Sequence, residues 1–278
     1  GKTMAIEKCT HDCSSCGVSG CNSRTKIQKL VPNKASKIKK TIAVMSGKGG
    51  VGKSMVTCLL AVSLLNEGKK VAILDADVTG PSIPKAFGLN NYQAYGDENG
   101  IFPAESEKGI KLLSANNLLE DPSAPIIWRG SLVSNLVAQM YTMAIFEEVD
   151  VLLIDMPPGT GDIPLTVFQQ IPLNSAIFVS SPQELVEEVV KKSTTMAKEM
   201  KIKVLGLVEN MSYVECPKCH EIIHPFGNKD GEEIAKKLDI PFLSELPIDP
   251  KLAKLVDEGK IEEYQANYLD KAIQAILS

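Results

Sequence analysis

Eight consecutive residues, Gly47-Lys48-Gly49-Gly50-Val51-Gly52-Lys53-Ser54, satisfy the pattern G-x-x-x-x-G-K-[ST] at every fixed position. Glycines let a backbone turn tightly and aim successive N–H groups into one concavity, and a helix starting there adds partial positive charge. Such a loop cradles a phosphate chain. Lys53 would reach the β- and γ-phosphates and Ser54 would ligate magnesium. The expected ligand is therefore ATP with Mg2+, contacted by Gly47, Lys48, Gly49, Gly50, Val51, Gly52, Lys53, Ser54 and Met55. A Gly-rich turn without a ligand is the plainer alternative, but an apolar β-rich run precedes the loop and a helical pattern follows it, as the motif requires. Lys48 is an extra lysine that such a loop does not need for its own nucleotide. It is either a solvated loop residue or a charge that meets the γ-phosphate across a dimer, in the manner of an arginine finger.

Acidic residues at two strand ends would complete the site. Asp75-Ala76-Asp77 closes one apolar run and leads to Gly80-Pro81-Ser82. Asp77 is expected to position the attacking water and Asp75 to support the magnesium shell, with helix capping as the ordinary role for Asp77. Val151-Leu152-Leu153-Ile154-Asp155 is a Walker B pattern whose carboxylate would hold magnesium through water. In the loop that follows, Pro157 and Pro158 are stiff and Gly159 is permissive. Gly159 could bring an N–H to the γ-phosphate, and Asp162 could cap the next helix.

Six of the seven cysteines fall in two tight groups. Cys216-Pro217-Lys218-Cys219 offers two thiolates from a short turn, too few to close a tetrahedral or cubane site alone. A two-fold dimer doubles them to four, enough for one shared [4Fe–4S] cluster. Zinc held by Cys216, Cys219, His220 and His224 is a second possibility, though the spacing is cramped, and a redox dithiol is a third. Cys9, Cys13, Cys16 and Cys21, in C-x3-C-x2-C-x4-C spacing, could ligate a second iron–sulfur cluster or zinc, or form a reduced tail. Cys58, alone in an apolar helical run, reads as a core residue.

These residues need a scaffold, and the pattern supplies one. Apolar runs at 41–45, 71–74, 151–154, 176–179 and 204–208 are continuous rather than alternating, as in parallel strands covered on both faces. Helical segments at 54–66, 131–143 and 184–200 lie between them. The expected fold is a doubly wound, mostly parallel α/β sheet with ligands at the carboxyl ends of its strands. Residues 1–37 lack apolar periodicity and read as a cysteine-rich appendage to an ATPase domain at 38–278. Residues 88–110 read as an excursion from the sheet.

The motifs together resemble the deviant Walker A ATPases of the MinD/ParA superfamily, and within it the Mrp/ApbC family of iron–sulfur cluster carriers. The resemblance is carried by the phosphate loop, Asp75-Ala76-Asp77 with Gly80-Pro81-Ser82, Trp128-Arg129-Gly130, Asp155 to Asp162, Ser181-Pro182-Gln183, Glu209-Asn210-Met211-Ser212 and the Cys216/Cys219 pair, spanning about residues 38–250. It implies that Lys48 completes the partner's site in a nucleotide-sandwich homodimer. It also implies that Asn210 contacts adenine, that Pro247 and Asp249 close the base pocket, and that Cys216 and Cys219 of two subunits bridge the cluster. Read on its own, Asn210 ends a strand and could equally serve a turn. Trp128 and Arg129 would lie at the dimer contact or anchor the surface.

Bulk properties narrow the field. The 278 residues are 44% hydrophobic and 23% charged with net charge −4, which argues against a dominant grip on nucleic acid. No apolar run approaches a membrane span, and without a recognisable signal segment a cytoplasmic protein is expected. The leading expectation is a slow, switch-type ATPase that assembles or transfers a cluster to apo iron–sulfur proteins. A positioning ATPase of the MinD/ParA kind would not need the cysteines. An ATP-dependent electron donor would carry widely separated ligand cysteines.

Overall fold

The computed structural model describes residues 28–78, 82–118, 130–183, 187–227, 230–265 and 267–278. Its strands are β1 (Lys37–Ser46), β2 (Val71–Asp75), β3 (Tyr95–Asp97), β4 (Gly100–Phe102), β5 (Ala104–Glu105), β6 (Lys111–Ser114), β7 (Glu148–Asp155), β8 (Ser175–Ser180), β9 (Lys203–Glu215), β10 (Ile222–Ile223) and β11 (Phe242–Pro247). The helices are α1 (Lys53–Asn66), α2 (Ser82–Ala86), α3 (Gly130–Met143), α4 (Asp162–Gln170), α5 (Glu187–Glu199), α6 (Gly231–Lys237), α7 (Pro250–Asp257) and α8 (Asp270–Leu277).

The main sheet runs β9-β8-β1-β7-β2-β6-β5, with β11 and β10 both paired to β9. All these pairings are parallel except β5 with β6 and β10 with β9. This is the doubly wound sheet expected from the continuous apolar runs. Alternate residues of a strand face opposite sides, and the core divides accordingly. Ile42, Val44, Val151 and Leu153 pack with α1, α2 and α8 on one face. Ala43, Met45, Leu152 and Ile154 pack with α3, α4, α5 and α6 on the other. Cys58 is fully buried among the first group, as its apolar neighbours require.

The 88–110 excursion contains the β3–β4 hairpin, a separate two-stranded sheet, and it returns through β5 to β6. Residues 29–36, part of the expected appendage, are tied to the domain. Leu30 N–H donates to the Gln170 carbonyl at 2.8 Å, and Ser36 Oγ donates to the Ala144 carbonyl at 2.8 Å. Cys9, Cys13, Cys16, Cys21, Gly80, Pro81, Trp128 and Arg129 lie outside the described residues.

The order of connections builds the ligand site. β1 feeds α1 and then β2 on one side, skipping β7. β7 feeds α4 and then β8 on the other side, skipping β1. The carboxyl ends of β1, β2 and β7 therefore open on one crevice, where sheets of this kind bind ligands.

Candidate nucleotide and metal site

The phosphate loop leaves β1 at Ser46 and enters α1 at Lys53. Gly50 (φ 83°) and Gly52 (φ 76°) take left-handed conformations that suit glycine. Space matters as well at Gly52, where a Cβ would fall 2.2 Å from Nδ2 of Asn210. A cavity of about 310 Å³ lies against the loop, bounded by Lys48, Lys53, Ser54, Met55, Asp77 and Pro158 as well as Gly49, Gly50 and Gly52. That volume and this concentration of backbone donors suit a phosphate chain.

At its floor is a dense ionic network. Lys53 Nζ stands 2.8 Å from Oδ2 of Asp155 and 3.2 Å from Oδ2 of Asp77. Ser54 Oγ donates to the same Asp155 oxygen at 2.6 Å, and Thr57 Oγ1 donates to the other at 2.7 Å. Asp75 and Asp155 are side by side in register on β2 and β7. Ser114, the register partner of Asp75 on its other side, donates to Asp75 Oδ2 at 2.7 Å. The Asp77 N–H donates to Oδ1 at 3.1 Å. Asp75 and Asp155 are each at most 1% exposed.

The charges are arranged as burial demands. Burial, and then the charge of Asp155, push the Asp75 carboxyl well above its ordinary value. Burial pulls the Lys53 ammonium down, but Asp155, Asp77 and Asp75 outweigh it and hold the group above its usual range. Lys53 thus bridges Asp155 and Asp77, while the hydroxyls of Ser54 and Thr57 donate to Asp155; carboxylate and hydroxyl oxygens are the donors hard divalent cations take, with water and phosphate completing the shell. Asp77 faces Lys53, whose Nζ donates to its Oδ2 at 3.2 Å.

Gly159 (φ 96°) donates its N–H to the Ser46 carbonyl at 2.9 Å rather than directing it at a phosphate position. The loop after Asp155 is thus latched to the end of β1 by a backbone bond. The cap position of α4 is Gly161, and Asp162 is the first helical residue.

Asn210 reaches the loop from β9. Its Nδ2 donates to the Val51 carbonyl at 3.0 Å. An amide has two N–H groups and two lone pairs, so this bond does not exhaust it. β9 bends here: Met211 has φ 55°, and the pairing with β11 slips between Glu245 and Pro247. Pro247 ends β11. Asp249 caps α7 by accepting from Lys251 N–H at 2.8 Å and also accepts from the Tyr264 hydroxyl at 2.8 Å. Asn210, Pro247 and Asp249 are not among the residues bounding the 310 Å³ cavity.

Beyond the bend, β9 runs directly to the cysteine pair. Residues 214–215 pair with β10, Cys216 N–H donates to the Glu221 carbonyl and His220 N–H donates to the Cys216 carbonyl, both at 2.9 Å. The result is a hairpin whose tip carries a half-buried Cys216 and an exposed Cys219. N–H groups of Cys219 and Lys218, then the Cys219 side chain, hold the Cys216 thiol below its ordinary value, favouring the thiolate that binds metals. His220 turns to Glu215 (2.5 Å) and His224 to the Ser212 carbonyl (3.2 Å). Among the described residues no three His, Cys, Asp or Glu side chains gather to hold a metal ion, so the four-ligand zinc arrangement is not assembled within one chain.

Two buried polar residues escaped the sequence reading, and a third, Glu209, entered it only as part of a motif. Thr57 and Ser114 act on the acids through strand register and helical turn, which no local motif marks. Glu209, beside Asn210, is 2% exposed with one oxygen unpaired. Burial, then the neighbouring Glu245, push it up to about 7.

A parallel sheet with this loop and these strand-end acids defines a P-loop nucleoside triphosphatase. The sequence matches the family described as "ParA: NUBPL iron-transfer P-loop NTPase" over residues 37–278, and the chain belongs to that family. It is 46% identical over 261 residues to the iron–sulfur cluster carrier protein of Clostridium perfringens, covering 91% of each chain. It is 41% identical over 224 residues to the cytosolic Fe-S cluster assembly factor Nubp2 homolog of Drosophila virilis, covering 79% of this chain and 84% of that one. Among solved structures it resembles a nucleotide-binding protein from Archaeoglobus fulgidus in complex with ADP, with TM-score 0.75 and 47% identity over 83% of this chain and 90% of that one. The cell-division ATPase MinD of Pyrococcus furiosus shares the fold, with TM-score 0.61 at 21% identity over 86% of this chain and 98% of that one.

Proposed function

We propose that this protein binds and slowly hydrolyses ATP with Mg2+, and that two copies hold a [4Fe–4S] cluster between their Cys216/Cys219 pairs for delivery to apo-proteins. One observation carries the reading. The strand that touches the phosphate loop through Asn210 is the strand that ends in the two-thiol hairpin. The carrier names of the relatives and the ADP in the Archaeoglobus structure support it.

Each residue then has a task. The loop N–H groups and Lys53 bind the phosphates, with Lys53 exchanging carboxylate partners for phosphate oxygens. Ser54 and Asp155 hold magnesium, which supplies charge neutralisation at the phosphates, and Asp75 supports its shell. Asp77 orients the attacking water, and Lys48 of the other copy stabilises charge at the transferred group. Asn210, Pro247 and Asp249 border the base. No helix among the described residues is long and apolar enough to cross a membrane.

The test is anaerobic purification or reconstitution of wild type and of C216S/C219S, with iron, sulfide and zinc measured beside the visible spectrum. Wild type should hold about four iron atoms per dimer at this site, and the variant should lose them while still binding ADP. A colourless wild type that binds only zinc would sink the carrier reading.

A further inference from the structure

We propose that Thr57 is a positioning residue for the cation site: its hydroxyl pins one oxygen of Asp155 and so keeps the other turned toward Ser54 and Lys53. This rests on the reading of Asp155 as a magnesium-holding group.

Thr57 lies one helical turn beyond Lys53 and is 0% exposed. Its Oγ1 is 2.7 Å from Asp155 Oδ1 and 3.1 Å from the Lys53 carbonyl. A hydroxyl has a single proton, and the shorter contact to the ionisable acceptor is the stronger claim on it. A back-bond to the i−4 carbonyl is the ordinary habit of a helical threonine; here the carboxylate competes for the same proton.

The terminal torsion of an aspartate is broad and nearly two-fold, so its oxygens exchange places readily unless something distinguishes them. Thr57 does so from the helix side. Oδ2 is left with Ser54 Oγ at 2.6 Å and Lys53 Nζ at 2.8 Å, on the cavity side of the network. The donor is neutral, which matters beside a cation: it fixes the carboxylate without adding repulsion, as a second lysine would. Asp75 shows the same device, with buried Ser114 on Oδ2 and a backbone N–H on Oδ1. Partners of this kind around metal-holding groups tune affinity by about 10- to 100-fold.

The experiment uses the full chain with saturating ADP, so that no turnover enters, and Mn2+ as the probe, titrated by electron paramagnetic resonance. Thr57→Val keeps the shape and removes the donor; its Mn2+ Kd should rise about tenfold. Thr57→Ser restores the hydroxyl and should stay within about twofold of wild type. Thr57→Ala should lose as much as Thr57→Val, while metal-free ADP affinity stays unchanged in all three. Asp155→Asn serves as the reference. If Asp155→Asn weakens Mn2+ and Thr57→Val does not, the positioning role is overturned while the cation reading stands. A loss in Thr57→Ala alone would mark packing and overturn it equally. If Asp155→Asn leaves Mn2+ affinity intact, the cation reading itself fails and takes this inference with it.

Discussion

Lys53 is a buried cation whose partners are the acids that the nucleotide must share. Replacing it with Met leaves Asp155 and Asp75 buried without their compensating charge, a situation that costs about 3 kcal/mol or more. Urea unfolding of Lys53→Met should show that loss without ligand, and ADP binding should fall at least about tenfold; a variant as stable as wild type would mean the acids are neutralised another way. Glu209 poses the opposite case. Its native carboxyl is raised to about 7, so between the unfolded value near 4.5 and that point the folded chain binds more protons than the unfolded one. Its contribution is intact below about pH 4.5 and declines as pH rises through about 7. Glu209→Gln should therefore gain on wild type in melting temperature as pH goes from about 5 to about 8, and parallel profiles would refute the assignment. At this scale the phosphate loop and both strand-end acids were legible, because their chemistry is written in contiguous residues. The roles of Thr57, Ser114 and Glu209 were not, because what makes them matter is who lies opposite them in an adjacent element.

Elements were legible in proportion to their apolar continuity. β1, β2, β7, β8 and the first half of β9 stand out because both faces are covered. β6 is only Lys111–Ser114, and β11 mixes Ser244 and Glu245 among its apolar residues, so neither forms a recognisable run. The hairpin formed by the end of β9 and β10 was read as a tight turn, but its pairing with residues 214–215 was hidden in a two-residue strand. The contact between the phosphate loop and β9 is the most testable at this scale. Gly52→Ala imposes a left-handed alanine and pushes the Asn210 amide off the Val51 carbonyl, at a cost of about 1–2 kcal/mol. Chemical denaturation should show it, and amide exchange near Val51 should accelerate. Unchanged exchange would mean that Asn210 does not brace the loop.

For the whole molecule the expected architecture and the observed one agree, since strand–helix alternation leaves few ways to cover a parallel sheet. On the proposed reading, Lys48→Ala should bind ADP with wild-type affinity yet fail to form the dimer that wild type forms with a non-hydrolysable ATP analogue, as read by light scattering after gel filtration. Dimerisation of the variant with ATP analogue at wild-type strength would remove Lys48 from the contact. The two-thiol hairpin carries a consequence of its own. On the proposed reading a tip with two sulfurs brings half a coordination sphere, so capture would need two chains and one core to meet. Where the chains are mostly apart, loading then follows the square of their concentration by mass action. Diluting a carrier built this way would then unload it, with no catalyst required.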